Sequence, residues 1–542
     1  MKASIKTAIF GALCTLSVSC DDYLEVKNHS GIPADNLITT VDNAQIVLNG
    51  AYDGFYGTNL FYFRIYYYLL LATNELKSMK VDEELSPLEN FSYYDGAPFV
   101  AGYWKDLYSI VSRANDACTK IYQLRNSGTL TGAENQELDR MIGECNFLRA
   151  WAYFYLSRSF GDKLPSHPQY NPAELGVPIL DSLIVVKQQL LIPRNTLGEC
   201  WDKVLRDFEA AYNRLPAAWG NDKLGAATQG AAAGYLGQVY MYLQDYSKAK
   251  EWFEKAMQAG NYRLTDDYGW NFDAYHENNS ESVFEVQFQA TASDADLASY
   301  MWRRLGPDGV GGGFGMVGVS PEWVNKFSTG YELTQEIYDG MKKEIDDKRR
   351  PSESEIILRE VLKAYQPAIG IPVFSQEDFY DLYTGDWNAL ADAINPLLSL
   401  VDAGQEPGWG TVNNKYVQQI LTRCRAADPR MYTSFYVPGR DSVALNWAAT
   451  EVKPYSNSYY GFKKYIPYNA VASWQSSDHL PYTDGSNSIN QRIFRLADLY
   501  LQYAEACYRS NDPDNAGKYL NKVRRRAWKM PFEDADLTSP ES

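Results

Sequence analysis

The chain has 542 residues, a formal net charge of −17 and a pI near 4.9, a balance that argues against nucleic acid or anionic lipid surfaces as partners of its body. That length suits two or three structural units around a large core, and beyond the first twenty residues no stretch is apolar enough for a membrane-spanning helix. The composition is aromatic, with 42 Tyr, 22 Phe and 13 Trp, and Tyr and Trp join a flat apolar face to a polar tip that suits both cores and wet binding surfaces.

Lys2 and Lys6 precede a short apolar run at residues 8–19. A positive start, a brief hydrophobic stretch and small residues before the break form a secretory signal, too short to span a bilayer. The run closes as Leu16-Ser17-Val18-Ser19-Cys20. Bacterial lipoprotein signals are cut directly before a cysteine that then carries lipid, usually with Leu three residues earlier. Here Ser17 holds that place and Leu16 stands one position further back. Cys20 is therefore the expected lipidation site, and two or three acyl chains give the stable anchoring that one chain does not. The alternative is an ordinary signal followed by an incidental cysteine. Residues 1–19 read as the signal and 20–40 as a polar tether, opening with Asp21-Asp22-Tyr23-Leu24-Glu25.

From residue 41 the pattern becomes helical. Ala44, Val47, Leu48 and Ala51 share one face, and residues 66–76 read as a second, buried helix. Leu148, Trp151, Ala152, Tyr155, Leu156 and Ser159 make a stripe that Gly161 ends. Leu236, Gly237, Tyr240, Ala249, Phe253 and Ala256 fall at tetratricopeptide offsets, where small Gly237 and Ala249 let two antiparallel helices approach. A second pair follows at 496–527, with Ala504 and Ala516 spaced as Gly237 and Ala249. Trp104, Trp151, Trp201, Trp252 and Trp323 lie on helical patterns and are expected in the core.

Between these repeats the texture changes. Residues 282–289 alternate as a strand. Residues 291–320 are loop-like and glycine-rich, 390–400 form a helical patch, and 429–490 suggest long loops with short strands. The predicted fold is mainly α: a tetratricopeptide-like helical-repeat scaffold (41–280), an irregular loop-rich insert that binds ligand (281–490) and a C-terminal helix pair (491–542). Once Cys14 leaves with the signal and Cys20 is lipidated, Cys118, Cys145, Cys200, Cys424 and Cys507 remain. They are scattered, odd in number and without CxxC spacing, so buried free thiols are expected.

The residues carry no catalytic constellation, so no enzyme is expected. His29, His167, His276 and His479 are far apart, and no HExxH, GxSxG or phosphate-binding loop occurs. Asp266, Asp267 and Asp273 gather near Asn271, which fits paired catalytic carboxylates or calcium ligands in principle. A turn with solvated acids is the preferred reading, so neither metal nor cofactor is expected. Glu144 and Arg149 read as a polar network at a helix end.

Taken in order, several segments form a set. They are Ser19-Cys20-Asp21-Asp22-Tyr23-Leu24, Trp104-Lys105-Asp106-Leu107-Tyr108, Glu144 with Phe147-Leu148-Arg149-Ala150, Phe160-Gly161-Asp162, and Glu281-Ser282-Val283-Phe284-Glu285. Asp428-Pro429-Arg430, Arg495-Leu496-Ala497-Asp498 and Leu520-Asn521-Lys522-Val523-Arg524 complete it. The chain resembles the RagB/SusD family of outer-membrane nutrient-binding lipoproteins over nearly its whole mature length. The resemblance implies a non-enzymatic, surface-exposed, lipid-anchored protein that takes oligosaccharides, or peptides in some members, and hands them to a TonB-dependent outer-membrane transporter. Family members continue past Arg526-Ala527 with another helix. Here a polar tail ends at Ser542, which reads as a truncation.

Sugar binding needs flat aromatic faces with amide or acid groups beside them, placed on loops. Tyr93 and Tyr94, next to Asp95, and Trp302 with Arg303 are the leading candidates, in regions from which the resemblance implies ligand contacts. Trp387 and Trp409 are second. Loop packing is the competing reading for each. A helical-repeat scaffold that binds peptides or a protein partner is the alternative function.

Overall fold

The computed structural model describes residues 38–181 and 191–289, apart from 63, 81–84, 95, 129 and 221–222. It also describes 488–537 and, between these blocks, 299–300, 305–307, 313–331, 334, 336, 339, 425–437, 441–444, 452–454 and 460–465.

Helix α1 (Val41–Tyr52) starts at Thr40, whose hydroxyl accepts from the Asn43 amide, and buries Ala44, Leu48 and Ala51 as the periodicity requires. A 3-10 turn, Asp53–Tyr56, follows. The expected long helix at 66–76 is shorter. Helix α2 spans Ile65–Leu71 and strand β1 is Leu76–Ser78. Thr73 makes the break, because its hydroxyl donates to the Leu70 carbonyl and accepts from the Glu75 amide. Helix α3 (Leu85–Glu89) leads to two long helices, α4 (Pro98–Arg125) and α5 (Gly132–Phe160). Reciprocal capping boxes start α5 (Thr131 with Glu134) and α6 (Leu197–Tyr212; Thr196 with Glu199). Gly161 ends α5 as expected, but in an extended conformation rather than a left-handed one. A side chain there would meet Leu197 Cδ2 and the Ser157 carbonyl, both at 2.7 Å.

The repeat at 236–256 forms α7 (Gln229–Tyr242) and α8 (Tyr246–Ala259). Successive helices pack in chain order from α4 to α8, the arrangement of a helical repeat. Strand β2 (Ser282–Val286) follows. Its partner is far along the chain. Between them the described segments carry β3 (Val317–Val319), α9 (Pro321–Asn325), β4 (Ser328–Tyr331), β5 (Arg425–Ala427), α10 (Arg430–Ser434) and β6 (Phe435–Tyr436). The short strands β7 (Ser442–Ala444), β8 (Val452–Pro454) and β9 (Gly461–Phe462) complete that region. Strand β10 (Gln491–Arg495) pairs antiparallel with β2, Gln491 opposite Val286 and Arg495 opposite Ser282. The chain then enters α11 (Leu496–Arg509) and α12 (Pro513–Ala527), and α11 packs on α8.

One apolar cluster runs through the repeat helices and includes Phe284 of β2 and Phe494 of β10. Trp151 sits in it, fully buried, with its indole N–H on the Tyr235 hydroxyl at 3.0 Å. Trp201 is also core, but Trp104, Trp252 and Trp323 are only partly buried. A second cluster joins α2, β1, α3 and the start of α4 to β3, α10 and β9. Cys118, Cys145, Cys200 and Cys507 are buried and reduced, while Cys424 and the helical patch at 390–400 lie outside the described residues. No helix among the described residues is long and apolar enough to cross a membrane.

Two polar readings need correction. Glu144 and Arg149 lie in the middle of α5, not at its end, and face different partners. Glu144 accepts from the Tyr52 hydroxyl at 2.7 Å. Arg149 grips Asp207 of α6 with two bonds of 2.7 Å and donates to Asn115 of α4 at 2.8 Å. Asn271 is no surface turn residue either. It is fully buried and donates to Glu281 at 3.0 Å.

Candidate functional site

The leading candidate is an aromatic ledge between α3 and α4. Leu85 and Leu88 plant α3 in the second cluster. The chain then turns sharply, with the Ser92 amide donating to the Pro87 carbonyl at 2.9 Å. Phe91 takes φ 53°, a left-handed conformation that is costly for a bulky residue. Its ring is left 65% exposed, and Tyr93 and Tyr94 are 46% and 66% exposed.

The exposed rings stand on a rigid base. The Ala97 amide donates to the Tyr94 carbonyl at 3.0 Å, and Pro98 occupies the first turn of α4, where its missing N–H costs nothing. Tyr93 meets buried Phe99 edge-on at 5.8 Å, and Phe99 packs on Tyr68. Tyr94 lies over Gly96, where a Cβ would come within 3.1 Å of its ring. The end of β1 is tied to the same region, since the Ser78 amide donates to Glu89 of α3 at 2.9 Å. Next along, the Met79 amide donates to the Met316 carbonyl, and Lys80 donates to the Phe314 carbonyl. Met79 and Phe314 are both more than a third exposed. Rings held open on a packed base suit the apolar face of a flat ligand.

Of the sequence candidates, Tyr93 and Tyr94 are placed together here. Asp95, Trp302, Arg303, Trp387, Trp409 and Cys20 lie outside the described residues. Described neighbours of Trp302 reach the same part of the molecule. The Tyr300 amide donates to the Tyr62 carbonyl at 2.8 Å, and Leu305 is buried in the cluster that holds Leu88 and Phe99. Phe91, Met79 and Phe314 escaped the sequence reading. Phe91 stands in an Asn-Phe-Ser-Tyr-Tyr turn whose aromatic density was a usable signal. Nothing local marks Phe314 or Met79, because their exposure depends on β1 meeting β3.

A second cleft, of about 580 Å³, lies under Trp323 and Lys326 and is lined by Arg430, Lys464 and Arg495. It explains why Trp323 is not core. Burial pushes the Tyr268 phenol up, yet Lys464 and Arg495 beside it hold it below the ordinary tyrosine value. The carboxylates of the acidic cluster serve their own turns. Asp267 caps the Gly269 amide, and Asp273 accepts from the Tyr275 and His276 amides. Among the described residues no group of three or more His, Cys, Asp and Glu side chains could hold a metal ion.

Comparison with known proteins places this architecture. Residues 280–540 match the SusD family, residues 22–241 match a family described as starch-binding and associating with outer membrane, and residues 236–259 match a tetratricopeptide repeat. The chain belongs to the SusD/RagB family. Among its relatives, SusD-like protein P25 of Formosa agariphila is 22% identical over 95% of this chain and 80% of its own length. SusD-like protein P38 of the same organism is 25% identical over 57% of this chain, and the match spans 58% of P38. A SusD-like protein from Bacteroides fragilis NCTC 9343 superposes with a TM-score of 0.58 at 19% identity, covering 94% of this chain and 83% of its own. A laminarin binding SusD-like protein gives 0.54 at 18% identity, covering 92% and 87%. These solved structures share the helical-repeat SusD fold with this chain.

Proposed function

We propose that this SusD-family chain is a glycan-capture lipoprotein without catalytic activity, held at the outer surface of the outer membrane by acyl chains on Cys20. It passes oligosaccharides to a TonB-dependent transporter. The observation that carries the reading is the Tyr93–Tyr94 ledge, with both rings open to solvent, Tyr93 backed by buried Phe99 and Tyr94 lying over Gly96. The starch-binding description of one matching family and the laminarin-binding relative of the same fold support a glucan-like ligand. Trp302 and Arg303 are proposed to complete the site, with Trp387 and Trp409 as further contacts.

Titration calorimetry of the lipid-free protein against starch and laminarin oligosaccharides tests this. Saturable binding is expected, and the Tyr93→Ala/Tyr94→Ala variant should weaken it by about tenfold or more, since stacking rings are worth roughly 1–3 kcal/mol in comparable sites. Unchanged affinity in a variant that melts like the parent would refute the ledge. Binding of peptides in place of glycans would favour the repeat helices as a peptide or protein scaffold.

A further inference from the structure

A cavity of about 590 Å³ opens beside α1, and none of the aromatic ledge residues lines it. Its wall joins α1, the middle of α5, residues 223–226 and β2. Glu144 lies at its floor, 1% exposed, and Phe55 and Phe284 contribute buried apolar surface. One Glu144 oxygen accepts from the Tyr52 hydroxyl, which itself accepts from the Ala227 amide at 2.9 Å. The other oxygen, Oε1, has no hydrogen-bond partner, and neither does Oε1 of Gln45 on the same wall. The remaining charges are matched. Asp53 pairs with Arg113 at 2.6 Å, Lys223 pairs with Glu137, and Glu285 faces Arg492 at 3.6 Å.

The wall therefore offers free acceptors and one carboxylate outside any ion pair, beside the apolar surface of Phe55 and Phe284. A buried carboxylate is stable only when paired or protonated. Burial pushes the Glu144 carboxyl up to about 7, against the opposing pull of Tyr52 and Lys223. A donor-only cation would satisfy the free Glu144 oxygen, and a hydroxyl donor would satisfy Gln45. We propose that this cavity is a second binding site, selective for a small ligand bearing a primary ammonium group on a hydroxylated body. The ammonium sits on Glu144 Oε1, and the Gln45 and Asn49 side chains at the mouth take the hydroxyl groups.

The test compares 2-aminoethyl β-glucoside with its uncharged counterpart, ethyl β-glucoside, by calorimetry on the whole lipid-free protein. The ammonium form should bind at least about tenfold more tightly, the usual scale of one charge-assisted hydrogen bond. Glu144→Gln keeps an acceptor for Tyr52 and removes the charge, so it should bring the two affinities together. Asn49→Trp, at an exposed position on α1, should block the mouth and abolish the preference even if the Glu144 variant fails to fold. Equal affinities in the parent, no binding of the ammonium form, or a preference that survives Asn49→Trp would each overturn the proposal. The Tyr93→Ala/Tyr94→Ala variant should retain the preference, which separates this site from the glycan reading.

Discussion

Arg526 shows what a single residue can hold together in this molecule. From the last turn of α12 its guanidinium reaches Glu281 at 2.5 Å and the Thr265 carbonyl at 3.1 Å. Arg495, Asn271 and Thr265 complete the shell around the same carboxylate, and Glu281 and Arg526 are almost fully buried. Burial alone would raise the Glu281 carboxyl, but Arg526 and Arg495 hold it down at about 2. Because the folded value lies below the ordinary 4.5, the stabilisation is fully present above that pH and is lost as pH falls toward 2. Arg526→Met should cost about 3–5 kcal/mol at pH 7, because it strands a buried charge. Urea denaturation should show that loss, and the gap from the parent should shrink between pH 5 and pH 2. Adding Glu281→Leu should recover much of it. Both residues stand in segments that the sequence marks as motifs, yet their pairing across 245 positions has no local signature.

At the scale of elements, the repeat helices were legible because their spacing is their packing. Gly237 faces Phe253, and a Cβ there would lie 2.5 Å from its ring. Gly234, one turn earlier, would meet the Phe494 ring of β10 at 2.3 Å. Helix propensity favours Ala over Gly by about 1 kcal/mol, so propensity alone predicts that Gly237→Ala stabilises α7. Close packing predicts the opposite, a loss of about 1–3 kcal/mol from overpacking. Thermal melts should show destabilisation, and Phe253→Leu in the same chain should restore part of it. The end of the 66–76 helix was missed because Thr73 competes for backbone groups through its hydroxyl, which apolar periodicity does not register. The ledge was half legible. The density of aromatic residues around Tyr93 was visible, but which rings stay open depends on Phe99 and Gly96 beneath them.

At the scale of the molecule, the pairing of β2 with β10 closes the repeat scaffold across a gap of about two hundred residues in sequence. The Phe288 amide donates to the Asn490 side chain at 2.6 Å, so the two ends of the intervening chain lie side by side. Antiparallel strands so close can be joined by a two-residue turn. A chain in which Asn-Gly replaces residues 290–487 should keep a helical circular dichroism signal and a cooperative melt. It should lose glycan binding and take up a hydrophobic dye, since Leu85, Leu88 and Phe99 would lose the cover of β3, α10 and β9. Loss of helix in that chain would mean that the second cluster is needed for the first to fold.

The sequence by itself determined the family, the helical-repeat scaffold and the position of its best-defined repeats, because these rest on local periodicity, caps and motif order. It also marked Tyr93 and Tyr94, whose aromatic turn is a local feature. Only the tertiary structure decided that Glu144 and Arg149 serve different neighbours, that Asn271 is buried against Glu281, and that a carboxylate outside any ion pair lies beneath α1. Burial and pairing depend on which distant elements meet, and a side chain carries no record of its partner until the chain has folded around it.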